Sequence, residues 1–478
     1  MEKRDLKSNY IYNTIARVVS IIVPLLTAPY ISRTLGVDNV GRYSYTASIV
    51  TYFSVLAVFG SSTYGQRQIA YHKNNTSDLN DSFSEVFLFR CISAIIAIAL
   101  YSLYLLSVHS DKTLAIIYGL NILDVAIDIS WLFNGLEMFK QLMIRNIAVR
   151  ILSLVSILLL VRKPSDVWIY VLIICGDNII CNLSMWPFAF RNVKLVLVNP
   201  FKNIIEIASI FLPTIAIQIY AVLDKSMIGW LTQSASQNGC YEQAEKIARL
   251  SLTVVTSLST VVLPKIANLY FENKTDLAKT YIYKAYRVTF LLSIPMTVGL
   301  ASISSILIPV FLGNGYEDAI VLLEILSSLI VFVSLASITG LSWLVPTGQQ
   351  NIYTISVTVA AVSNFIMNNI LIRCMQAKGA AIATVFAEGI AVLIQIGYCF
   401  YHKQLNIYCI TRQIWKYFIA AFIMACFIFA SKVVIPANAI GLLFLIIVAS
   451  IVYFVILFLL REELLYSFLI NKHKNRHA

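Results

Sequence analysis

The sequence predicts an all-α integral membrane protein with about 14 transmembrane helices, and two observations carry this prediction. First, 59% of the 478 residues are hydrophobic and only 13% are charged, with a mean hydropathy of +0.79. So few polar side chains cannot cover the surface of a soluble globule. Second, long apolar stretches recur from residue 11 to residue 460. Such unbroken runs indicate helices that cross a bilayer and exclude a barrel of short alternating strands.

Fourteen apolar spans follow one another along the chain, each close to the ~20 residues that a hydrocarbon core requires. The predicted spans are 11–32, 42–64, 84–108, 113–134, 143–161, 167–190, 205–231, 239–263, 285–312, 318–344, 352–373, 379–401, 413–434 and 438–460. An even number of spans places both ends of the chain on one side of the membrane. No small-residue cleavage pattern follows the first apolar run, so the first span is expected to be retained.

The basic residues predict which side that is. With a cytoplasmic N-terminus, 23 of the 36 Lys and Arg residues fall in cytoplasmic loops and span ends, and five fall inside spans. The other eight lie on the outer side: Arg33, Arg42, Lys112, Arg162, Lys163, Arg373, Lys378 and Lys432. The positive-inside rule therefore predicts that both termini are cytoplasmic. The net charge of +12 is then explained by contact with membrane lipids, and no nucleic acid partner is expected.

Several kinds of chemistry are not indicated by the sequence. The eight cysteines form no CxxC motif, and the five histidines fall in loops or in the tail, so neither a metal site nor a cofactor is expected. The loops contain no glycine motif that would cradle a phosphate, which argues against ATP hydrolysis. The predicted outer loops are short, which disfavours an enzyme such as a membrane-bound sugar polymerase. The protein is therefore not expected to be an enzyme.

A weak internal repeat indicates two lobes. Gly41 and Tyr43 open the second span in the pattern Gly-x-Tyr, and Gly239 and Tyr241 open the eighth span in the same pattern. An offset of six spans preserves the membrane orientation, so the repeat predicts two parallel six-helix lobes. The predicted domains are an N-terminal lobe at 1–200, a C-terminal lobe at 201–404, and two further helices with a tail at 405–478.

Four stretches of the sequence carry a family resemblance: residues 16–70, 127–147, 223–247 and 344–388. Together they resemble the Wzx-type polysaccharide (O-antigen or capsule) repeat-unit flippases of the multidrug/oligosaccharidyl-lipid/polysaccharide (MOP) exporter superfamily. The resemblance implies two six-helix lobes in a MATE-like V around a central lumen. It also implies a bacterial cytoplasmic membrane protein that moves an undecaprenyl-diphosphate-linked oligosaccharide to the outer leaflet, with a polysaccharide polymerase and chain-length machinery as further expected partners.

Five basic residues inside the apolar spans are the candidate substrate-binding cations. A bare charge in hydrocarbon is costly, so these side chains are expected to face a polar lumen, where Arg and Lys bind phosphate. They are Arg17, Arg90, Lys225, Lys246 and Arg249. Local pairing is the alternative for the eighth span, because Glu242 precedes Lys246 by four residues and Glu245 precedes Arg249 by four.

Acidic residues inside the spans are candidates for coupling transport to H⁺ or Na⁺. These are Asp124, Asp128, Asp224 and Glu245. Asp124 and Asp128 are four residues apart, so they would lie on one helix face and could share a proton or a cation. The alternative for both is charge pairing with Arg90 or Arg150 of neighbouring helices.

Three alternatives to an oligosaccharide flippase remain open at this point. A flippase of lipid II or of a teichuronic-type precursor would belong to the same superfamily. A cation-coupled multidrug exporter would share the fold, although basic residues in the lumen disfavour cationic drugs. A membrane-bound sugar polymerase is the enzyme alternative.

Overall fold

The computed structural model describes residues 3–108 and 111–466, with their side chains except those of residues 3–22, 24, 212–214, 216 and 217. The described residues are about 85% helical and contain no β-strand, which confirms the all-α class. Among the described residues, twelve stretches are long and apolar enough to cross a membrane. The first half of the first helix and the predicted seventh span include residues whose side chains the structure does not describe. The count of fourteen spans therefore stays a prediction.

The described residues up to Thr232 form ten helices, and several of the breaks between them fall inside predicted spans. These helices are α1 (Lys3–Val58), α2 (Ser61–His72), α3 (Thr76–Ser107), α4 (Lys112–Tyr118), α5 (Leu120–Ile127), α6 (Ser130–Gly135), α7 (Phe139–Leu160), α8 (Val167–Leu183), α9 (Trp186–Asn192) and α10 (Ile204–Thr232). A short 3₁₀ turn, Pro164–Asp166, leads into α8.

The remaining described residues form nine helices. These are α11 (Ala235–Phe271), α12 (Thr275–Leu312), α13 (Asp318–Leu326), α14 (Leu329–Ala336), α15 (Gln350–Met375), α16 (Ala377–Tyr401), α17 (Ile407–Thr411), α18 (Ile414–Ser431) and α19 (Ala439–Leu459). A π-helical stretch, Ser337–Leu344, continues α14 and completes the predicted tenth span. Pro264, Pro295 and Pro309 lie inside α11 and α12 without ending those helices.

The first two predicted spans form a single element with one break. Gly36 has φ 77° and ψ 165°, and the chain is helical on both sides of it. A positive φ is accessible to glycine at no steric cost, which is why the direction of the helix can change at this residue. The predicted polar turn at 33–41 is therefore helical except at Gly36.

The predicted fourth span is broken into α4, α5 and α6. Gly119 separates the first two pieces, and Asp128, with ψ 115°, ends the helical conformation of α5. Asp128 is therefore the residue after the helix rather than part of one continuous face with Asp124. The break frees backbone groups inside a membrane segment, and these need partners from neighbouring helices.

Contacts divide the chain into two compact units, and the boundary along the sequence lies between Gly239 and Cys240. In the first unit α10 packs on α1 and α2, although its residues were assigned to the second predicted lobe. The contact boundary thus differs from the one expected at residue 200. The division of the repeat into lobes at 200 and 404 stays a prediction.

Each unit has its own apolar core. In the first unit Trp131 is 1% exposed and stacks on Phe83 at a ring separation of 5.5 Å. Gly65 leaves room for this ring, because a Cβ there would lie 2.6 Å from the indole. In the second unit α12 packs on α18 and α19, where Tyr417 and Tyr453 are buried, and the Tyr286 hydroxyl of α12 lies 2.6 Å from Oγ1 of Thr339. Outside these cores the helices expose many large apolar side chains, as lipid-facing helices do.

Candidate functional site: charged and polar side chains within the helices

Arg249 in α11 combines exposure with a charged partner on its own helix. Its Nε donates to Oε1 of Glu245 at 2.6 Å. The Arg249 side chain is 51% exposed, whereas that of Glu245 is 5% exposed. The ion pair expected as the alternative to substrate binding is therefore present. It leaves the Arg249 guanidinium at the surface of the second unit, where a single lipid-exposed charge would be costly.

A row of hydroxyl side chains continues from Arg249 along the same face of α11. At 100° per residue, positions 249, 253, 256, 257 and 260 fall within about 100° of the helix circumference. Thr253, Ser257 and Thr260 are exposed, and Thr256 is half-buried. We call Arg249 with these four residues the α11 polar stripe. The stripe was not predicted because its Thr and Ser residues are uncharged, although their helical spacing would have revealed it.

The hydroxyls of the α11 polar stripe donate to the backbone of their own helix. The Thr253 Oγ1 donates to the carbonyl of Arg249 at 2.8 Å, and the Ser257 Oγ donates to that of Val254 at 2.7 Å. Each hydroxyl oxygen keeps lone pairs that can accept from water or from a sugar hydroxyl. A polar, exposed face on a membrane helix is expected beside a water-filled space rather than lipid.

Asp224 and Lys225 lie in α10, within the first unit. Asp224 is 7% exposed, and Lys225 is half-buried. Next to them, the hydroxyls of Tyr52 and Ser226 are 2.5 Å apart, which ties α10 to α1. The backbone carbonyl of Lys225 also accepts from Nδ2 of Asn238 at 3.2 Å. These bonds fix the part of α10 that carries both charges.

Arg90 in α3 is buried in the interior of the first unit, with 0% of its area exposed. Its Nε donates to Ser61 at 3.0 Å, and its NH1 donates to the backbone carbonyl of Asp128 at 2.5 Å and to Oδ2 of that residue at 3.3 Å. The NH2 group donates to Ser62. Arg90 thus satisfies the carbonyl released at the end of α5. This arrangement favours a structural role for Arg90 over contact with a substrate.

The carboxylates of Asp124 and Asp128 have separate partners. Oδ1 of Asp124 accepts from Nδ2 of Asn182 in α8 at 2.7 Å. Asp128 pairs with Arg90, and its Oδ1 also accepts from the backbone N–H of Ser130 at 2.9 Å. The pairing of Asp128 with Arg90 is the alternative that the sequence left open. The expected sharing of a proton or cation between the two carboxylates has no support in these contacts.

The remaining predicted cations are in different places. Arg17 lies in the part of α1 whose side chains the structure does not describe. Lys246 is half-buried in α11, in the second unit. No group of three or more His, Cys, Asp and Glu side chains that could hold a metal ion occurs among the described residues.

A buried polar cluster in the second unit was not predicted. The Asn364 Nδ2 donates to Oγ1 of Thr384 at 3.3 Å, and the Asn368 Nδ2 donates to Oδ1 of Asn364 at 3.0 Å. The Tyr241 hydroxyl lies 3.4 Å from the same Thr384 oxygen. These uncharged side chains join α11, α15 and α16. Hydrogen bonds of this kind hold membrane helices together.

Comparison with known families identifies the chain. The profile of the family described as "Polysaccharide biosynthesis protein" matches residues 6–270, which is more than half of the sequence. The chain belongs to this polysaccharide biosynthesis protein family. A second profile, described as lipid II flippase MurJ, matches residues 139–455. The two matches overlap and together extend from residue 6 to residue 455.

Similar proteins extend over nearly the whole chain. An Escherichia coli (strain K12) protein described as a candidate O-antigen transporter is 22% identical over 84% of this chain and 99% of its own length. The solved structure of lipid II flippase MurJ in an inward closed conformation has a TM-score of 0.76 and 18% identity, covering 95% of this chain and 100% of MurJ. An inward-facing MATE family multidrug transporter of the MOP superfamily has a TM-score of 0.59 and 12% identity, over 82% of this chain and 98% of its own. These likenesses confirm the MATE-like fold predicted for this family member.

Proposed function

We propose that this protein is a flippase that moves undecaprenyl-diphosphate-linked oligosaccharide repeat units from the cytoplasmic to the outer leaflet of a bacterial cytoplasmic membrane. It is proposed to work by alternating access through a cationic central lumen. Membership in the polysaccharide biosynthesis protein family and the O-antigen transporter description of its E. coli relative support this assignment. The observation that carries it here is the α11 polar stripe, which places an exposed Arg249 at the head of a row of hydroxyls.

The chemistry of the stripe suits such a cargo. The guanidinium of Arg249 can form paired hydrogen bonds with the diphosphate, and this pairing is stronger in a site of low dielectric constant. Hydroxyl side chains offer both a donor and acceptors, which matches the hydroxyls of a passing sugar without holding any one of them tightly. Glu245 keeps Arg249 in place through its 2.6 Å contact and balances the charge while the site is empty.

Transport is tested with purified protein in proteoliposomes that contain an oligosaccharide-diphosphate lipid with a fluorophore on the sugar. An impermeant reductant quenches only the label in the outer leaflet. Without transport about half of the label is quenched, and a flippase raises the quenched fraction toward the whole. Arg249→Ala is expected to slow this process at least tenfold, and Arg249→Lys is expected to restore part of the rate. Arg373→Ala is the matched control, because Arg373 is an exposed arginine in the last turn of α15.

Two results would contradict the proposal, the first in its binding site and the second in its transport function. Unchanged transport in Arg249→Ala would remove the role of the α11 polar stripe. No quenching beyond half in the wild type, together with export of a cationic dye, would instead place the protein with the multidrug exporters.

A lipid II-type cargo is the second candidate, and the MurJ profile over residues 139–455 favours it. Both cargoes carry the same lipid diphosphate and differ in their sugars. Transport of labelled lipid II in the same proteoliposomes, faster than that of the oligosaccharide lipid, would favour this second candidate. Polysaccharide polymerase and chain-length proteins stay predicted partners in either case.

Coupling to H⁺ or Na⁺ is also proposed, with Asp224 and Glu245 as the acidic residues concerned. Both are buried, at 7% and 4% exposed, and each lies next to a predicted substrate-binding cation. Imposing a proton or a sodium gradient on the proteoliposomes should accelerate transport in the wild type. The acceleration should disappear in Asp224→Asn or Glu245→Gln. Equal rates with and without both gradients would exclude ion coupling.

A further inference from the structure

One cavity in the first unit lies where the ends of three predicted loops come together. It has a volume of about 460 Å³ and is lined by α1 at Arg42 and Tyr45, by Asp111 before α4, and by residues 229–238 from the end of α10 and the start of α11. We call it the loop-end pocket. Its volume is within the range of ligand sites, roughly 300–1,000 Å³. All three loops were predicted to be on the outer side of the membrane.

The charged groups of the loop-end pocket neutralise one another. The Arg42 Nε donates to Oδ1 of Asp111 at 2.6 Å, and the Arg42 NH1 donates to Oδ1 of Asn39 at 3.0 Å. The Arg42 and Asp111 side chains are 43% and 23% exposed, and both residues line the cavity. A site with one positive and one negative group has no net charge to attract a phosphate. It can still form hydrogen bonds with neutral hydroxyls through both groups.

An unpaired amide oxygen adds a second polar feature. Asn238 is 0% exposed, lines the pocket, and donates from Nδ2 to the carbonyl of Lys225. Its Oδ1 has no hydrogen-bond partner. A buried acceptor without a donor costs about 1–3 kcal/mol. A hydroxyl or an amide N–H of a ligand that reached this covered oxygen would supply the missing donor.

Trp230 provides an apolar surface beside these groups. Its side chain is 67% exposed and lines the pocket. An aromatic ring with one open face packs well against the C–H face of a sugar ring while polar neighbours bind the hydroxyls. An adjoining cavity of about 350 Å³ shares Tyr45 and Asp111 and contains Tyr101 and Tyr104.

We propose that the loop-end pocket binds an uncharged sugar residue of the glycan at the outer end of the first unit. The combination of a neutralised Arg42–Asp111 pair, an acceptor on Asn238 and an open Trp230 ring fits a saccharide and not a diphosphate. This inference rests on the proposed function for the identity of the glycan.

Sugar binding is tested by saturation-transfer NMR on the full chain in nanodiscs. The probes are N-acetylglucosamine, galactose, rhamnose and disaccharides of these sugars, with inorganic diphosphate as competitor. At least one sugar is expected to receive saturation from the protein, and Trp230→Ala is expected to weaken its binding at least tenfold. Trp415→Ala is the matched control, since Trp415 is 51% exposed in α18 of the second unit. Trp230→Phe keeps a ring and should retain part of the signal, which tests the site even if the alanine variant folds poorly.

The outcomes distinguish this inference from the proposed function. Absence of saturation transfer to every sugar, or an equal signal in Trp230→Ala, overturns the saccharide site whether or not transport occurs. Displacement of the sugar by diphosphate also overturns it, in favour of an anion site. Sugar binding that depends on Trp230, in a protein that fails the transport assay, leaves the site in place and removes the flippase assignment.

Discussion

Gly41 of α1 and Gly239 of α11 lie in backbone contact. A Cβ built on Gly239 would lie 3.1 Å from the backbone nitrogen of Gly41 and 2.1 Å from the carbonyl oxygen of Val37. A Cβ on Gly41 would lie 1.7 Å from the carbonyl oxygen of Ala235. These two glycines open the two copies of the Gly-x-Tyr pattern. Both copies therefore use glycine for the same reason, which is to let the helices approach closely.

Substitution of Gly41 should separate these helices. Gly41→Val is expected to destabilise the protein by about 1–3 kcal/mol, as overpacking does, because the Ala235 carbonyl belongs to the backbone and cannot turn aside. Thermal unfolding of the purified protein measures this change. Gly176→Ala is the control, since a Cβ on that glycine of α8 meets nothing within 4 Å. Equal unfolding temperatures for Gly41→Val and the wild type would contradict the observed contact.

The Gly-x-Tyr pattern shows how much of the structure can be predicted from the sequence. The predicted span positions agree with the helices to within a few residues over most of the chain, because ~20 apolar residues in a row have no other stable form in a bilayer. The meeting of Gly41 and Gly239, 198 residues apart, could not be predicted. A repeated Gly-x-Tyr pattern does not indicate whether its two copies are in contact.

Arg90 illustrates the same limit for charges. Sequence alone placed it with the lumen cations, because a charge inside an apolar run is functional by default. Its real surroundings depend on the end of α5 at Asp128, which the hydropathy of residues 113–134 does not reveal. The ion pair of Arg249 was easier to predict, since its partner Glu245 is four residues away on the same helix. Local pairs can be read from spacing, whereas partners on other helices cannot.

Arg90→Met is therefore expected to act on stability. Removing one member of a buried ion pair typically costs about 3–5 kcal/mol. The matched control is Arg67→Met, because Arg67 pairs with Glu206 at the surface and their side chains are 37% and 45% exposed. A loss of at most ~1 kcal/mol is expected there. Thermal unfolding compares the two variants. A stable Arg90→Met protein that no longer transports would instead support the predicted role of Arg90 as a substrate-binding cation of the lumen.

The orientation of the chain can be measured with single cysteines in a variant whose eight native cysteines are replaced. Lys112 and Lys274 are exposed residues at the starts of α4 and α12. If both termini are cytoplasmic, an impermeant maleimide should label Lys112→Cys in intact cells and Lys274→Cys only after permeabilisation. The reverse pattern would place the termini outside and the loop-end pocket in the cytoplasm.

The α11 polar stripe should face water rather than lipid. Thr253→Cys, Ser257→Cys and Thr260→Cys, in the same cysteine-replaced background, are expected to react with a water-soluble maleimide, because thiolates form and react only where water reaches them. Leu393→Cys is the control, since Leu393 is 72% exposed on α16 among apolar residues and should face lipid. Labelling at least tenfold faster along the stripe than at position 393 is expected, and addition of the oligosaccharide-diphosphate lipid should slow it. Similar slow rates at all four positions would place the stripe in lipid, where Arg249 could not receive the diphosphate.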